Sequence, residues 1–433
     1  ISRSNDAIRI IQKAVDMNEA EKSQALGEAY FLRAWYHFEA KKMWNMVPFV
    51  NETVTDYINL PNDKDIWPNI EADLQFSIDN LATTKADVGR ASKWSAKALL
   101  AKVHMYQQDH AAAKVLLSDI IASGPFKLVD NFHDNFRIST ENNSESVFEV
   151  QMSVADGGNG NNGSWGDSYN FPYGSGPGGC CGFFQPSQNL ANAFKTDADG
   201  LPLLTTFNDV DVKNDEGLAA ADAFTPYEGT VDPRLDWTVG RRGIPFLNWG
   251  VHPGKTWIRD QSFAGPYTFK KFFAYSGENA GAESPRANSN NYRAIRYADI
   301  LLMRAEVAVE ENDLATALDI VNQIRRRAAN DIVTQSDGKP AANYLVKPYS
   351  AFANQEYARN AVRFERRVEL AMEGHRHFDL VRWGVADVVL NAYLKKEMIK
   401  RTYLNGAVFS KGKSEYFPIP QTQIDIMGAD ILK

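Results

Sequence analysis

The chain's two cysteines are neighbours, Cys180 and Cys181, set in the stretch GSGPGGCCGFFQP from Gly174 to Pro186. Adjacent Cα atoms lie ~3.8 Å apart, short of the ~4.4 Å at which disulfides usually begin. A bond between these two therefore closes a small strained ring, which the flanking glycines can absorb. Such a ring is a flat apolar plate suited to lie against a sugar face. The sequence leaves the bonded and the reduced states open.

Aromatic side chains crowd the same region. Between Asp156 and Gly182, Trp165, Tyr169, Phe171 and Tyr173 are interleaved with ten of the chain's 29 glycines, and Phe183, Phe184 and Gln185 follow at once. Asp236 to Gln261 adds Trp237, Arg241, Arg242, Asn248, Trp249, His252, Trp257 and Arg259. Sugars offer flat C–H faces to rings and hydroxyls to planar amides and guanidinium groups, so this mixture points to carbohydrate binding. The stacking candidates are Trp165, Tyr169, Tyr173, Phe183, Trp249 and Trp257, with the Cys180–Cys181 plate beside them. Gln185, Arg241, Arg242, Asn248 and Arg259 are the hydrogen-bonding candidates. Three arginines admit an anionic sugar such as a uronate as well as neutral diols. About half of the rings are expected to anchor the core instead.

Other clusters carry less. In EGHRH (Glu373 to His377) the two histidines are two residues apart, so on a helix they point to different sides and cannot share one ion. His375 falls on an apolar stripe and reads as a core histidine. NDVDVKNDEG (Asn208 to Gly217) lacks the closing glutamate and glycine placement of a calcium loop and reads as a solvated turn. No phosphate-cradling loop, nucleophile elbow or paired-cysteine zinc spacing is present. Neither a metal nor a cofactor is expected, and no catalytic residue stands out. A glycoside hydrolase remains an alternative, because its two carboxylates can come from anywhere in the fold. A peptide-binding or protein-interaction repeat scaffold is another.

These loops need elements to hold them still. From Glu19 to Trp44 apolar residues step by three or four, the period of a helix, and Trp94 to Gln108 and Ala111 to Ala122 read likewise. AKVHMYQQDHAAA (Ala101 to Ala113) is echoed by AEVAVEENDLATA (Ala305 to Ala317). Each holds an amide seven positions after its first alanine, then Asp, the spacing of a helix, tight turn and second helix. Asn360 to Gly384 reads as one helix with Phe364, Val368, Ala371, His375 and Phe378 on a stripe and ion pairs Arg366–Glu369, Glu373–Arg376 and Asp379–Arg382 at i,i+3. Ser146 to Val154 alternates like a half-buried strand, with Phe148, Val150, Met152 and Val154 facing inward.

The chain has 433 residues, with 47 Lys and Arg against 54 Asp and Glu. A mildly acidic balance gives nucleic acid no electrostatic encouragement. No apolar run approaches the length of a membrane span. The sequence begins at Ile1, so a leader or a lipid-attachment cysteine is expected upstream.

GEAYFLRAWYHFEA (Gly27 to Ala40), RYADILLMRAEVAVE (Arg296 to Glu310), ERRVELAMEGHRHFDLVRWG (Glu365 to Gly384) and YFPIPQTQI (Tyr416 to Ile424) resemble the signature segments of the SusD/RagB family. Its members are outer-membrane nutrient-binding lipoproteins of Bacteroidota, and the resemblance spans nearly the whole chain. It implies a mainly α, SusD-like fold, with tetratricopeptide-type hairpins packed against a loop-rich part with a few short strands. It also implies a lipid anchor at the extracellular face of the outer membrane and a SusC-like TonB-dependent transporter as partner. The implied role is non-catalytic capture of oligosaccharide or polysaccharide, sometimes peptide, for uptake. Family ligand sites vary between members, so no site residue is carried over. We expect a single domain in which residues 1–125 and 292–433 form the scaffold and 126–291 supply the ligand loops.

Overall fold

Helix α1 (Ser2–Lys13) is followed by a turn ending at Asn18, whose side chain accepts the N–H groups of Ala20 and Glu21. Glu21 Oε2 accepts in return from the Asn18 N–H at 2.9 Å. This reciprocal cap satisfies donors that the helix cannot, and it starts α2 (Glu19–Trp44) at the expected residue. The computed structural model describes residues 1–85, 87–283 and 287–432. They divide into two compact units, one of Ile1–Gly124, His377–Asn391 and Val408–Lys433, the other of Pro125–Arg376 and Ala392–Ala407.

In the first unit α2 lies against α3 (Trp67–Asn80), which is followed by α4 (Lys93–Tyr106) and α5 (His110–Ser123). Gly27 sets the α2–α3 approach: a Cβ there would meet Leu81 Cδ2 at 3.0 Å, and the Gly27 carbonyl accepts from Ser77 Oγ at 2.8 Å. Arg33 then reaches Asp73 through two bonds of 2.7 and 2.6 Å and Glu52 through one of 2.5 Å, with Arg33 and Asp73 buried and Glu52 half-buried. The sequence echo is explained at the α4–α5 turn. Gln108 takes φ +61° and Asp109 Oδ1 accepts the Ala112 N–H at 3.0 Å, so the amide turns the chain and the aspartate caps the next helix.

The second unit holds β1 (Ser146–Val150), α6 (Trp165–Ser168), α7 (Gln188–Ala193), α8 (Arg234–Thr238), β2 (Val239–Gly240), α9 (Gln261–Ala264), β3 (Thr268–Phe269) and β4 (Tyr292–Arg296). Helices α10 (Tyr297–Glu310), α11 (Leu314–Asn330) and α12 (Gln355–Glu369) follow; of the later helices, α13 (Arg376–Arg382) from His377 on and α15 (Gln421–Met427) belong to the first unit, and α14 (Ala386–Glu397) is divided after Asn391. The strands form two antiparallel pairs, β1 with β4 and β2 with β3. The fold is therefore mainly α. The α10–α11 turn repeats the first hairpin, with Asn312 at φ +58° and Asp313 accepting the Thr316 N–H. From Tyr297 to Val309 every residue of α10 is buried, so this helix is core on all sides.

Two expectations are corrected. The strand stops at Val150, which is exposed, while Glu149 is buried beside Arg293 at 3.7 Å and accepts from Asn291 Nδ2 at 3.1 Å. Register shifts on both sides of Phe148 turn the alternation over. The long helix from Asn360 to Gly384 is broken after Glu369, where Met372 (φ +64°) and Gly374 (φ +83°) reverse the backbone before α13 begins. Of the three expected ion pairs, Asp379–Arg382 forms at 3.0 Å. Arg366 instead meets Asp299 at 2.5 Å, and Glu369 and Glu373 turn inward.

That inward turn builds a charged centre. Glu369 meets Arg234 at 2.9 Å, Arg296 at 3.2 Å and Arg327 at 2.5 Å. Glu145 meets Arg296 at 3.1 Å and Arg327 at 2.6 Å, and Glu373 meets Arg296 at 2.8 Å and Lys271 at 2.6 Å. Burial pushes the Glu369 carboxyl up, but Arg327, Arg296 and Arg234 outweigh it and hold the group well below the usual carboxylate range. Lys271 is pushed down to about 8 by burial, although Glu373 opposes the shift. Lone charges at this depth would cost several kcal/mol each, roughly, so the members stabilise one another only as a set.

Candidate functional site

A foundation of packed rings carries the irregular surface of the second unit. Phe171, Phe246, Trp257 and Phe273 form a buried cluster, with Phe246 edge-on to Trp257 at 5.5 Å and to Phe273 at 5.4 Å. Two backbone hydrogen bonds moor the glycine-rich loop to it: the Tyr173 N–H donates to the Trp257 carbonyl at 2.9 Å, and the Gly182 N–H to that of Phe171 at 2.9 Å. Gly182 takes φ +62°, and a Cβ on it would sit 2.9 Å from Arg259 Cβ and 3.0 Å from Tyr173 Cβ. Its missing side chain is what lets Tyr173 and Arg259 close on each other.

On that foundation sits a rim of exposed groups. Arg259 lies over the ring of Phe183 at 4.6 Å and that of Tyr173 at 5.6 Å, and its Nη1 donates to the Cys181 carbonyl at 2.9 Å. Tyr173 and Phe183 are 41% and 48% exposed, so ring faces remain open to solvent. Phe183, Arg259 and Gln185 line a small depression together with Asn170, Gly182, Trp257, Ile258, Thr268 and Phe269. The Gln185 amide donates to the Gly265 carbonyl at 3.1 Å. Phe184 is exposed as well, at φ +55°, a backbone region that bulky side chains enter only under constraint. Cys180 and Cys181 are disulfide-bonded, with Cys180 buried and Cys181 half-buried, so the plate lies partly inside the loop.

The remaining candidates scatter around this rim. Tyr169 is exposed and accepts the Phe183 N–H at 3.0 Å through its carbonyl, while Trp165 on α6 donates its indole N–H to the Gly160 carbonyl at 2.7 Å. Asp167, in the same turn, accepts from Ser164 Oγ at 3.0 Å and is pushed up to about 6 by burial. Trp249 stands edge-on to Phe273 at 6.1 Å with its indole N–H on the Ala274 carbonyl, and the neighbouring Asn248 side chain is tied to the backbone of Ser276. Glu141 accepts the Asn291 N–H at 2.7 Å with Arg293 at 4.0 Å, and burial pushes it up to about 7.

Three candidates belong to the interior. Trp257 is buried in the ring cluster, Arg241 is buried with two bonds of 2.6 and 2.8 Å to Asp236, and Arg242 spends its guanidinium on the carbonyls of Ala219, Ala220 and Asp222. The acids of Asn208 to Gly217 face cations: Asp209 meets Lys396 at 3.2 Å, Asp211 meets Lys400, and Glu216 meets Arg401. Among the described residues no group of three or more His, Cys, Asp or Glu side chains is placed to hold a metal ion. Sequence reading missed Asn170, Thr268 and Phe269 in the depression, and only the Phe-Phe pair signalled Phe184. Open ring faces, a planar cation and two amides on one rim can stack on a flat apolar face and bond the polar groups at its edge.

The SusD family profile matches residues 144–429, and residues 1–105 match a second profile described as starch-binding, associating with outer membrane. The chain belongs to the SusD family. It is 29% identical over 396 residues to SusD-like protein P25 of Formosa agariphila, covering 88% of this chain and 68% of that one. Among solved structures, a SusD superfamily protein of Bacteroides vulgatus matches with a TM-score of 0.71 at 22% identity, covering 100% of this chain and 82% of that one. Surface glycan-binding protein A of Bacteroides fluxus matches with a TM-score of 0.69 at 23% identity, covering 99% and 80%. At these identities the structural likeness shows the SusD fold. No helix among the described residues is long and apolar enough to cross a membrane.

Proposed function

We propose that this SusD-family chain binds oligosaccharide or polysaccharide without cleaving it, on the rim formed by Tyr173, Phe183, Gln185 and Arg259, with Tyr169, Trp165 and Trp249 extending the surface. The observation that carries the reading is the exposed Arg259 guanidinium laid against two open rings at 4.6 and 5.6 Å. Rings held this way meet the apolar face of a sugar while Gln185 and Arg259 bond its hydroxyls. A relative of the same fold is named as a surface glycan-binding protein, and the profile over residues 1–105 is described as starch-binding, which supports the ligand class. The same description supports association with the outer membrane. Within that setting the protein hands its ligand to a SusC-like TonB-dependent transporter and is held by a lipid anchor.

Affinity gels cast with laminarin, amylose, xylan and alginate test the binding. Retardation in at least one, lost in Arg259→Ala and Phe183→Ala, is expected, with no new reducing ends released on incubation. Migration unchanged in all four gels sinks the proposal, and reducing ends that rise with time turn it into a hydrolase.

A further inference from the structure

A second pair of rings stands on the surface of the same unit. Phe263 on α9 and Tyr403 in the turn Thr402–Leu404 are stacked face to face, centroids 5.2 Å apart and planes 12° apart, and the Tyr403 hydroxyl donates to the Phe263 carbonyl at 2.9 Å. Each residue is more than half exposed, at 57% and 58%, although its ring is stacked on a partner. The outer faces therefore lie open. Ser262 and Thr402, next to the rings in sequence, are exposed hydroxyl residues.

One ring of the pair stands on a loop whose two ends line the depression. The chain leaves it at Arg259 and re-enters at Thr268, and Phe263 lies on the loop between. Four residues of extended chain reach at most ~14 Å, so Phe263 cannot be farther than that along the backbone from Arg259. Gln185, which lines the depression, is bonded to Gly265 of this loop, and Arg401, two residues before Tyr403, is paired with Glu216. Gln261 of the same loop accepts the Gly217 N–H at 3.1 Å, so both sides of the pair are braced.

We propose that Phe263 and Tyr403 form a second stacking subsite for the same glycan, making this a site for chains rather than for mono- or trisaccharides. This rests on the reading above. A pair serving only to staple the 392–407 segment to α9 would change stability and leave binding untouched.

Calorimetric titration of wild type, Phe263→Ala, Tyr403→Ala and Tyr403→Phe uses the four polymers named above, each intact and as its trisaccharide. Both alanine variants are expected to lose affinity for the bound polymer about three- to ten-fold, the worth of one aromatic contact, with trisaccharide affinity unchanged. Tyr403→Phe, which keeps the ring and loses the hydroxyl, retains polymer affinity. Equal loss on polymer and trisaccharide, or no loss on either with a lowered melting temperature, overturns the subsite and leaves the first reading standing. Absence of binding to every probe by the wild type overturns both.

Discussion

The second unit contains two ways of using arginine. At its centre Arg234, Arg296 and Arg327 converge on Glu369 and Glu145 with every partner out of solvent. At the rim Arg259 is exposed, has no carboxylate among its described contacts, and lies against rings and a carbonyl. Buried pairs fix register, because leaving any one charge unmatched is costly. The rim cation makes weak, replaceable contacts, and a ligand group can add to them. Rigidity is concentrated in the first place and recognition in the second.

Substitutions separate the two. Glu369→Ala takes one buried carboxylate from each of Arg234, Arg296 and Arg327 and is expected to destabilise the unit by about 3–5 kcal/mol in chemical denaturation. A loss below ~1 kcal/mol would mean that Glu145 and Glu373 suffice and the centre is not one set. Gly182→Ala forces a Cβ against Arg259 and Tyr173 at φ +62° and is expected to cost about 2 kcal/mol, with glycan affinity falling alongside. Were affinity to survive, the closeness of Tyr173 to Arg259 would be irrelevant to binding. Tyr173→Ala should reverse the pattern seen at the centre, weakening binding about ten-fold while stability stays within ~0.5 kcal/mol.

The smallest effect concerns Glu141. Its folded pKa is raised by burial from about 4.5 to about 7, so between those pH values the unfolded chain gives up a proton that the folded state keeps, and the stability this group contributes, complete below the window, is lost as pH rises through it. Glu141→Gln keeps the acceptor for the Asn291 N–H and removes the charge. The variant is expected to melt higher than wild type at pH 8 and about equally at pH 4. A lower melting temperature at pH 8 would show that the attraction of Arg293 dominates.

Helices were legible in the sequence where a local signal ends them. Asn18 and Glu21 capped α2 at the expected residue, and the echoed Gln108-Asp109 and Asn312-Asp313 pairs are turn and cap residues. What sequence periodicity could not show was where charge goes. Glu369 and Glu373 sit at helical spacing from arginines, yet their partners come from distant segments, and Glu149 faces inward because a bulge and Arg293 override the alternation. The ring-rich loops were visible as a class, and Tyr173, Phe183, Gln185 and Arg259 do meet. Arg241, Arg242 and Trp257 share the same composition but are consumed by Asp236, by carbonyls and by the ring cluster. Composition records the supply of such groups; only tertiary pairing decides which are left over.

The charged centre has a temporal consequence. Arg327 and Glu145 are 182 positions apart in the chain, and Arg296 and Glu145 are 151 apart. A ribosome must deliver α12 before Glu369 can neutralise the arginines that wait for it, so the glycine-rich loops emerge long before anything can lock beneath them. Hairpins such as α4–α5 close from neighbouring residues and need no such delay. The nascent chain should therefore gain protease resistance in two steps, early for the local hairpins and late, all at once, for the half that carries the rim.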